Sequence, residues 1–221
     1  MDNLQQTTIQ ANPESVPFGV DQHNLSNIMS TASEISYLWS SYLAESMAVA
    51  FLKHMAAKSK DPDFHSVLQF ALDISSQRVT LMEDLFNTIK HPIPKGFGEE
   101  DVDINARELF SEGFCVRYTR LTSKYILINY SFAFSDSTRS DFRELFSGFI
   151  NTSKEVIARA DNVLLAKGLL PKPPSIPVAD KADYVHGKAY YGSIFGSDRP
   201  LNAIEEGLKC RINNYKYSVH S

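Results

Sequence analysis

Apolar residues recur every three or four positions in four long segments of the chain, and breaks rich in Pro, Gly, Asp and Ser separate these segments. This spacing follows the turn of an α-helix and predicts four amphipathic helices of roughly 25–30 residues each. The first helix is predicted to begin at a capping box formed by Thr31 and Glu34 and to run to about Lys58. The second is predicted to run from Pro62 to about Lys90, because proline is favoured in the first turn of a helix.

The third helix is predicted over residues 111–135, and the fourth is predicted to start at the cap residues 136–138 and to end at Gly168. Matched helix lengths, with short links inside the first and the second pair, predict an antiparallel four-helix bundle. The long connection between the second and third helices either crosses the bundle or runs along it. The most regular apolar stripe belongs to the third helix and consists of Phe114, Tyr118, Leu121, Tyr125, Ile128 and Phe132. The stripes of the other helices include Leu38, Tyr42, Leu52, Ala56, Phe64, Leu68, Ala71, Met82, Leu85, Phe142, Phe146, Phe149, Val156 and Ala160.

The segments on either side of the bundle differ from it in composition. Residues 1–30 are rich in Gln, Asn, Ser and Thr and too poor in apolar residues to form a core face, which predicts a disordered head. The bundle is predicted to occupy residues 31–170. Residues 171–200 are rich in Pro, Tyr and Gly and are predicted to form an extended arm, and residues 201–221 a short helix.

The net charge of the 221-residue chain is −4, which gives no electrostatic reason to expect nucleic acid or an anionic membrane as a partner. No apolar run approaches the ~18 residues of a membrane span. Residues 1–30 lack the basic start and apolar run of a signal peptide. Cys115 and Cys210 form no CxxC pair, so neither a disulfide framework nor a zinc knuckle is indicated. A cytoplasmic location is predicted.

Several short phrases resemble one known family and occur in the same order as in that family. They are Pro-Ile-Pro-Lys-Gly-Phe at 92–97 with Glu-Asp-Val at 100–102, Ser-Thr-Arg-Ser-Asp at 137–141, Lys-Pro-Pro-Ser-Ile-Pro at 172–177, and Arg-Pro-Leu-Asn-Ala-Ile-Glu at 199–205. The sequence from Thr31 to Glu205 thus resembles an uncharacterised ferritin-like four-helix-bundle family of spore-forming Gram-positive bacteria, a domain of unknown function. The resemblance implies an all-α ferritin-like fold, usually with two bundles in tandem, and no established activity. Residues after Glu205 differ from the family, so the chain resembles the first bundle and the start of a second.

The ferritin-like resemblance raises the question of a dinuclear metal site. Such a site takes a glutamate from each of two helices and a Glu-x-x-His motif from each of the other two. The first helix offers Glu45, but in the second Asp73 is followed three residues later by Ser76, and in the fourth Glu155 is followed by Ala158. The third helix has neither a carboxylate nor a histidine between residues 113 and 135. The ligand set is incomplete on three helices, so neither a metal nor a cofactor is predicted.

Glu45 lies in the apolar stripe of the first helix, where a charge is costly unless it is paired. Because the first two helices turn back on each other, Glu45 is predicted to lie level with Ser75 and Arg78, and Thr152 and Ser153 occupy the middle of the fourth stripe. These residues predict a central polar layer. Three interpretations stay open: both charged side chains reach solvent at the flank of the bundle, a buried pair fixes the helix register, or the layer forms a ligand pocket.

Three classes of function follow from these observations. The first is a non-catalytic structural or interaction protein, which the family's distribution ties to sporulation or stress. The second is a binder of a small apolar or acidic ligand beside Glu45 and Arg78. The third, an atypical ferritin-like metalloprotein, is disfavoured by the incomplete ligand set. The arm carries Tyr184, Tyr190, Tyr191 and Phe195 as amphipathic anchors and is predicted to pack on its own bundle. The terminal helix is predicted to dock there or on a second copy, which would give a weak homodimer through the C-terminal segment.

Overall fold

The computed structural model describes residues 28–170, and within this range the regular secondary structure is helical. No helix in this range is long and apolar enough to cross a membrane. The predictions made for residues 1–27 and 171–221 lie outside the described residues. The elements are α1 (Ala32–Lys58), α2 (Pro62–Thr88), a short 3-10 turn (Glu99–Asp101), α3 (Glu112–Asp136) and α4 (Ser140–Ala166).

The predicted helix ends are largely confirmed. Thr31 Oγ1 accepts a hydrogen bond from the Glu34 amide at 3.2 Å, and Glu34 Oε2 accepts one from the Thr31 amide at 2.7 Å, which is the predicted capping box. Asp61 caps α2, and Gly168 adopts a φ of +70° just after the end of α4. The start of α4 was predicted wrongly, because no side chain of residues 136–138 caps it and the N-cap position belongs to the next residue.

The turns of the two hairpins are each held by a glutamate from the other hairpin. Glu34 of α1 also accepts hydrogen bonds through Oε1 from the amides of Thr138 and Arg139, at 2.8 and 3.0 Å, immediately before α4. In the same way Glu112 of α3 accepts through Oε2 from the amides of residues 60 and 61, at 3.0 and 2.9 Å, immediately before α2. Each carboxylate therefore accepts hydrogen bonds from amides that have no partner within a helix. Each also connects one hairpin to the other.

The helices lie round the bundle in the order α1, α2, α4, α3. Contacts at the two ends give their directions. Lys167 at the end of α4 pairs with Asp61 at the start of α2, with 2.7 Å between Nζ and Oδ2. Tyr37 near the start of α1 donates a hydrogen bond to Asp136 at the end of α3 at 2.9 Å. Every pair of neighbouring helices is therefore antiparallel, while α2 and α3 run in the same direction.

The connection between α2 and α3 runs along α1, one of the two paths that the sequence left open. It starts where the His91 ring meets the Trp39 ring edge-on, with 6.0 Å between centroids, and ends at Glu112 beside the far end of α1. Midway, Gly96 lies so close to α1 that an added Cβ would be 2.8 Å from Ser46 Oγ. A larger residue would push the connection away from α1. This path returns the chain to the other end of the bundle, which makes α2 and α3 parallel.

The core consists of two apolar clusters, one towards each end of the bundle. The predicted stripes of α1, α2 and α4 supply most of both clusters, which confirms those stripes. One cluster contains Leu52, Ala56, Phe64, Val67, Leu68, Ala71, Cys115, Val116, Val156, Ala160 and Leu164. The other contains Leu38, Tyr42, Met82, Leu85, Phe86, Tyr130, Ala133, Phe142, Phe146 and Phe149.

The stripe predicted for α3 is wrong. Tyr125, Ile128 and Phe132 are 41%, 49% and 57% exposed. A neighbouring stripe of α3, with mostly smaller side chains, packs in the core instead. Three buried phenylalanines of α4 fill much of the space in the cluster to which α3 contributes, so little room is left for large side chains of α3. Tyr130 is the large exception, and it points its hydroxyl at a polar partner. The buried residues of α3 are Gly113, Cys115, Val116, Thr119, Tyr130 and Ala133.

Candidate functional site

Polar side chains from all four helices meet between the two apolar clusters. They are Glu45 of α1, Arg78 of α2, Tyr130 of α3, and Thr152 and Ser153 of α4, and we call them the polar layer. Arg78 Nη1 donates to Glu45 Oε1 at 2.7 Å, and Glu45 is 0% and Arg78 5% exposed. The interpretation in which both charged side chains reach solvent at the flank is therefore wrong.

The rest of the Arg78 guanidinium is held mainly by α4. Nη2 donates to the carbonyl of Phe149 at 2.9 Å and to the hydroxyls of Thr152 and Ser153, both at 2.7 Å. The guanidinium also lies near the rings of Tyr130 and Phe149, at 5.3 and 5.5 Å from their centroids. Arg78 thus joins its own helix to α1, α3 and α4 through charge-assisted hydrogen bonds and cation–π contacts.

Tyr130 is the member of the layer that the sequence reasoning missed. Its hydroxyl donates to Glu45 Oε1, the same oxygen that Arg78 contacts. Burial raises the pKa of Tyr130 well above its usual value, and the charge of Glu45 adds to this effect. The hydroxyl therefore stays protonated and remains a donor. The only sequence signal is the position of Tyr130 along α3, which lies opposite Glu45 when α1 and α3 are antiparallel. That arrangement depends on the path of the connection between α2 and α3, which the sequence leaves open.

Ser75, the remaining predicted site residue, is buried one turn before Arg78 but takes no part in the polar layer. Within residues 28–170 its hydroxyl has no hydrogen-bond partner. Ser75 and Arg78 line a cavity of about 210 Å³ on the side of α1 and α3. Glu45, Thr152 and Ser153 do not line it. The structure therefore brings four of the five predicted residues into one hydrogen-bonded layer and puts Ser75 at the wall of the cavity.

A second cavity, of about 600 Å³, lies between α1, α3 and the connection that follows α2. The two cavities share four lining residues and are therefore adjacent. The shared side chains are Met47, Phe51, Met55 and Tyr118. Both cavities lie on the side where α3 turns its larger apolar stripe away from the core.

The polar layer contains a balanced charge pair and neutral hydroxyl groups. Arg78 balances the charge of Glu45, and neither a histidine nor a cysteine belongs to the layer. Across the part of the chain that the structure describes, no group of three or more His, Cys, Asp or Glu side chains is placed to hold a metal ion. Cys115 is buried elsewhere, and burial raises the pKa of its thiol, which is opposite to what a reactive thiolate requires.

Fold and site together define an all-α bundle with a buried Glu–Arg–Tyr layer. The chain belongs to the family described as Protein of unknown function (DUF3231), which matches residues 22–182. This membership confirms the resemblance to a helical family of unknown function. No curated protein matches the sequence.

Two solved structures resemble the chain. One, at 1.54 Å resolution, is a protein of Bacillus halodurans C-125 that is provisionally described as a spore coat protein. It is 16% identical, with a TM-score of 0.63, and the match covers 70% of this chain and 100% of that one. The other is a DUF305 fragment from Deinococcus radiodurans, 15% identical, with a TM-score of 0.45, matched over 63% of this chain and 99% of that one. At this identity the first shows the fold alone, and the second carries no argument.

Proposed function

We propose that this chain is a non-catalytic structural or interaction protein with a ferritin-like bundle, acting in sporulation. The ferritin-like assignment is supported by the single long connection between two antiparallel hairpins, which is the topology of such bundles. The sporulation context is supported by the fold shared with the protein provisionally described as a spore coat protein. A cytoplasmic place of action is supported by Cys115, a free and buried thiol.

The observation that carries this proposal is an exposed apolar strip along α1 and α3. Met47 and Phe51 on α1 are 38% and 49% exposed. Ile128 and Phe132 on α3 are 49% and 57% exposed. Helical spacing aligns each set along its helix, and the two helices are antiparallel neighbours. We call these four residues the α1–α3 strip. Contiguous exposed apolar surface of this kind marks interaction sites in soluble proteins.

The polar layer supports a structural role. It joins all four helices, and its hydrogen bonds are satisfied in one helix register only. A slip of any helix by one turn would leave the Glu45 or Arg78 charge buried without a partner, which is strongly unfavourable. A single register presents the α1–α3 strip in one shape, which an assembly of many copies requires.

Sedimentation velocity of the full chain over a range of concentrations tests the proposal. We expect the wild-type protein to self-associate and the double variant Ile128→Ser, Phe132→Ser to stay monomeric. Leu165→Ser is the matched control, because Leu165 is 50% exposed on α4, away from the strip. It should associate as the wild type does. A wild-type chain that stays monomeric at every concentration contradicts the proposal.

The C-terminal segment, residues 171–221, is proposed as a second contribution to a weak homodimer. A chain that ends at Leu170 separates the two contributions. If the segment carries the contact, this truncated chain stays monomeric while Leu165→Ser in the full chain still associates. If the α1–α3 strip carries the contact, the truncated chain associates and only the strip variant does not. Circular dichroism shows whether the truncated chain remains helical.

A further inference from the structure

We propose that the two cavities on the α1–α3 side form one binding site for an elongated apolar molecule that ends in an uncharged polar group. Its walls include Met47 and Phe51 of the α1–α3 strip, but the binding proposed here does not depend on the structural role proposed above. The occupant is defined by the walls of the cavities, by the hydrogen-bonding groups at the inner end, and by the charges at the outer rim.

The walls suit an apolar chain. The larger cavity, about 600 Å³, is of the size that small-molecule sites have in proteins, and the smaller one, about 210 Å³, extends it towards the core. Methionine side chains are unbranched and adapt readily to a ligand, so movement of Met47 and Met55 would join the two cavities. The principal apolar walls are Met47, Phe51, Met55, Phe110, Phe114 and Tyr118.

The inner end offers a place for one polar group. Ser75 is 6% exposed, lines the smaller cavity, and leaves its hydroxyl without a hydrogen-bond partner among the described residues. Of the five N–H donors of Arg78, the Nε and Nη2 donors meet acceptors on α4, and Nη1, which has two N–H groups, donates only to Glu45 Oε1. One guanidinium N–H is therefore left over, and Arg78 lines the same cavity. A ligand oxygen at this point would meet two donors.

The inner end disfavours a charged group. Glu45 already balances the charge of Arg78, so a carboxylate placed there would be a buried charge without its own counter-charge. An ammonium would place a second positive charge beside Arg78, with the Ser75 hydroxyl as its acceptor at this wall. A hydroxyl or carbonyl oxygen accepts from Arg78 and from Ser75 without adding charge.

The outer rim disfavours an anion as well. The residues that line the larger cavity include Asp101, Asp103, Glu108 and Glu112, against Lys58 and His54, and the neighbouring Lys60 pairs with Glu108. This excess of negative charge repels an anionic amphiphile from the entrance. An uncharged alcohol or ester passes it without that cost.

Displacement of a neutral fluorescent probe, N-phenylnaphthylamine, from the full chain tests the proposal. The competitors are decanol, decanoate and decylamine, which share one chain length and differ in the charge of the polar end. We expect decanol to displace the probe at a concentration at least tenfold lower than decanoate or decylamine. Equal potency of all three overturns the assigned class, and so does a preference for either ion. Failure of the probe and of decanol to bind overturns the site.

Variants locate the site within the chain. Ser75→Ala should weaken decanol binding by about three- to tenfold, the effect of one hydrogen bond. Ala48→Leu adds volume at a wall of the smaller cavity and should abolish binding. Ala158→Leu is the matched control, since Ala158 is exposed on α4, and it should bind as the wild type does. Circular dichroism confirms that each variant is folded. Unchanged binding by folded Ser75→Ala and Ala48→Leu places the ligand elsewhere and overturns the proposal.

Discussion

At the scale of single residues, the buried charges of Glu45 and Arg78 are tolerated because their partners are numerous. Burying an ion costs about several kcal/mol, and the mutual attraction of a pair repays this only when further hydrogen bonds satisfy both groups. Arg78 gives hydrogen bonds to a carboxylate, a carbonyl and two hydroxyls, and Glu45 Oε1 receives two. Glu45 Oε2 has no partner within residues 28–170. The hydrogen-bonding capacity of Arg78 is thus largely satisfied, and that of Glu45 is satisfied less completely.

Loss of the Tyr130 hydroxyl should destabilise the polar layer directly, because this hydroxyl donates a hydrogen bond to Glu45. Tyr130→Phe keeps the ring, with its contacts to Arg78 and to the phenylalanines of α4, and removes only the donor to Glu45. We expect it to lower the free energy of unfolding by about 1–3 kcal/mol, measured by urea unfolding. Tyr118→Phe is the control on the same helix, because the Tyr118 hydroxyl has no hydrogen bond within the described chain, and it should change stability by less than about 0.5 kcal/mol. A similar loss in both variants would contradict this role for Tyr130.

Removing the carboxylate should be more costly than removing the tyrosine hydroxyl. Glu45→Ala leaves the Arg78 guanidinium buried without its counter-charge, and we expect a loss of about 3–5 kcal/mol in the free energy of unfolding. Glu144→Ala is the matched control, since Glu144 is an exposed glutamate of α4. A loss below about 0.5 kcal/mol for Glu45→Ala would mean that the pair contributes little to stability.

Part of the polar layer can be predicted from the sequence. Glu45 interrupts an apolar stripe, and the turn between α1 and α2 places it level with Arg78, so their proximity follows from helical spacing alone. Tyr130 does not follow in this way, because its level depends on the path of the long connection, and tyrosine is as common in a core as at a surface. Whether the layer binds a ligand or only fixes the register does not follow from residue identity.

At the scale of the helices, α3 shows why the strongest apolar pattern need not face the core. Its larger stripe, with Phe114, Tyr118, Ile128 and Phe132, borders the cavities or solvent, and its smaller side chains pack inside. Periodicity indicates that a helix has an apolar face. It does not indicate which of two adjacent apolar faces will pack against the neighbouring helices. The stripes predicted for α1, α2 and α4 do pack in the core, although α1 also exposes Met47 and Phe51.

The glutamates that hold the hairpin turns have pKa values below their ordinary value. For Glu34, burial acts to raise the pKa, but hydrogen bonds from the amides of Arg139, Thr31 and Thr138 outweigh it and lower the pKa. For Glu112, the hydrogen bond from the Ser59 hydroxyl lowers the pKa, with further help from backbone amides. In both cases the structure favours the ionised form over the protonated one.

This preference makes stability depend on pH. A carboxyl with a lowered pKa in the folded state stabilises the protein fully above its unfolded pKa of about 4.5, and this contribution is lost as the pH falls through the lower folded value. We expect the free energy of unfolding to be nearly constant above about pH 5.5 and to fall below about pH 4.5. Urea unfolding at a series of pH values measures it.

Glu34→Gln isolates the contribution of Glu34. It should lower the free energy of unfolding by about 1.5–3 kcal/mol at neutral pH, because charge-assisted hydrogen bonds are lost. The loss should shrink as the pH falls below about 4.5, since the wild-type carboxyl then becomes neutral as well. Glu144→Gln, an exposed control, should follow the wild-type curve. A loss for Glu34→Gln that is independent of pH would mean that the charge of Glu34 does not matter.

At the scale of the whole molecule, a charge pair occupies the middle of the bundle, where the proposed ferritin-like fold would place a metal site. Arg78 places its positive charge against Glu45, where a cation would otherwise be needed. We expect elemental analysis of the dialysed full chain to find well under one iron or manganese per chain. Stoichiometric metal that persists through dialysis would contradict this and would revive the metalloprotein alternative.

The polar layer also divides one long core into two apolar clusters. We expect it to determine the register of the helices more than it increases the free energy of unfolding. Replacing the whole charged set by apolar residues of similar size removes the cost of desolvation together with the interactions that offset it. We therefore expect the triple variant Glu45→Leu, Arg78→Met, Tyr130→Phe to recover most of the stability that Glu45→Ala loses. Its helices should no longer be confined to one register, because no buried charge penalises a slip.

Two measurements on the triple variant separate stability from specificity. Urea unfolding should give a free energy within about 1 kcal/mol of the wild type, well above that of Glu45→Ala. Amide NMR spectra should show doubled or broadened peaks for residues of α1 and α3 near the layer, while Leu165→Ser, with an intact layer, keeps a single sharp set. A triple variant as unstable as Glu45→Ala would mean that the layer is a net source of stability. Recovered stability with one sharp set of peaks would mean that the apolar clusters alone determine the register.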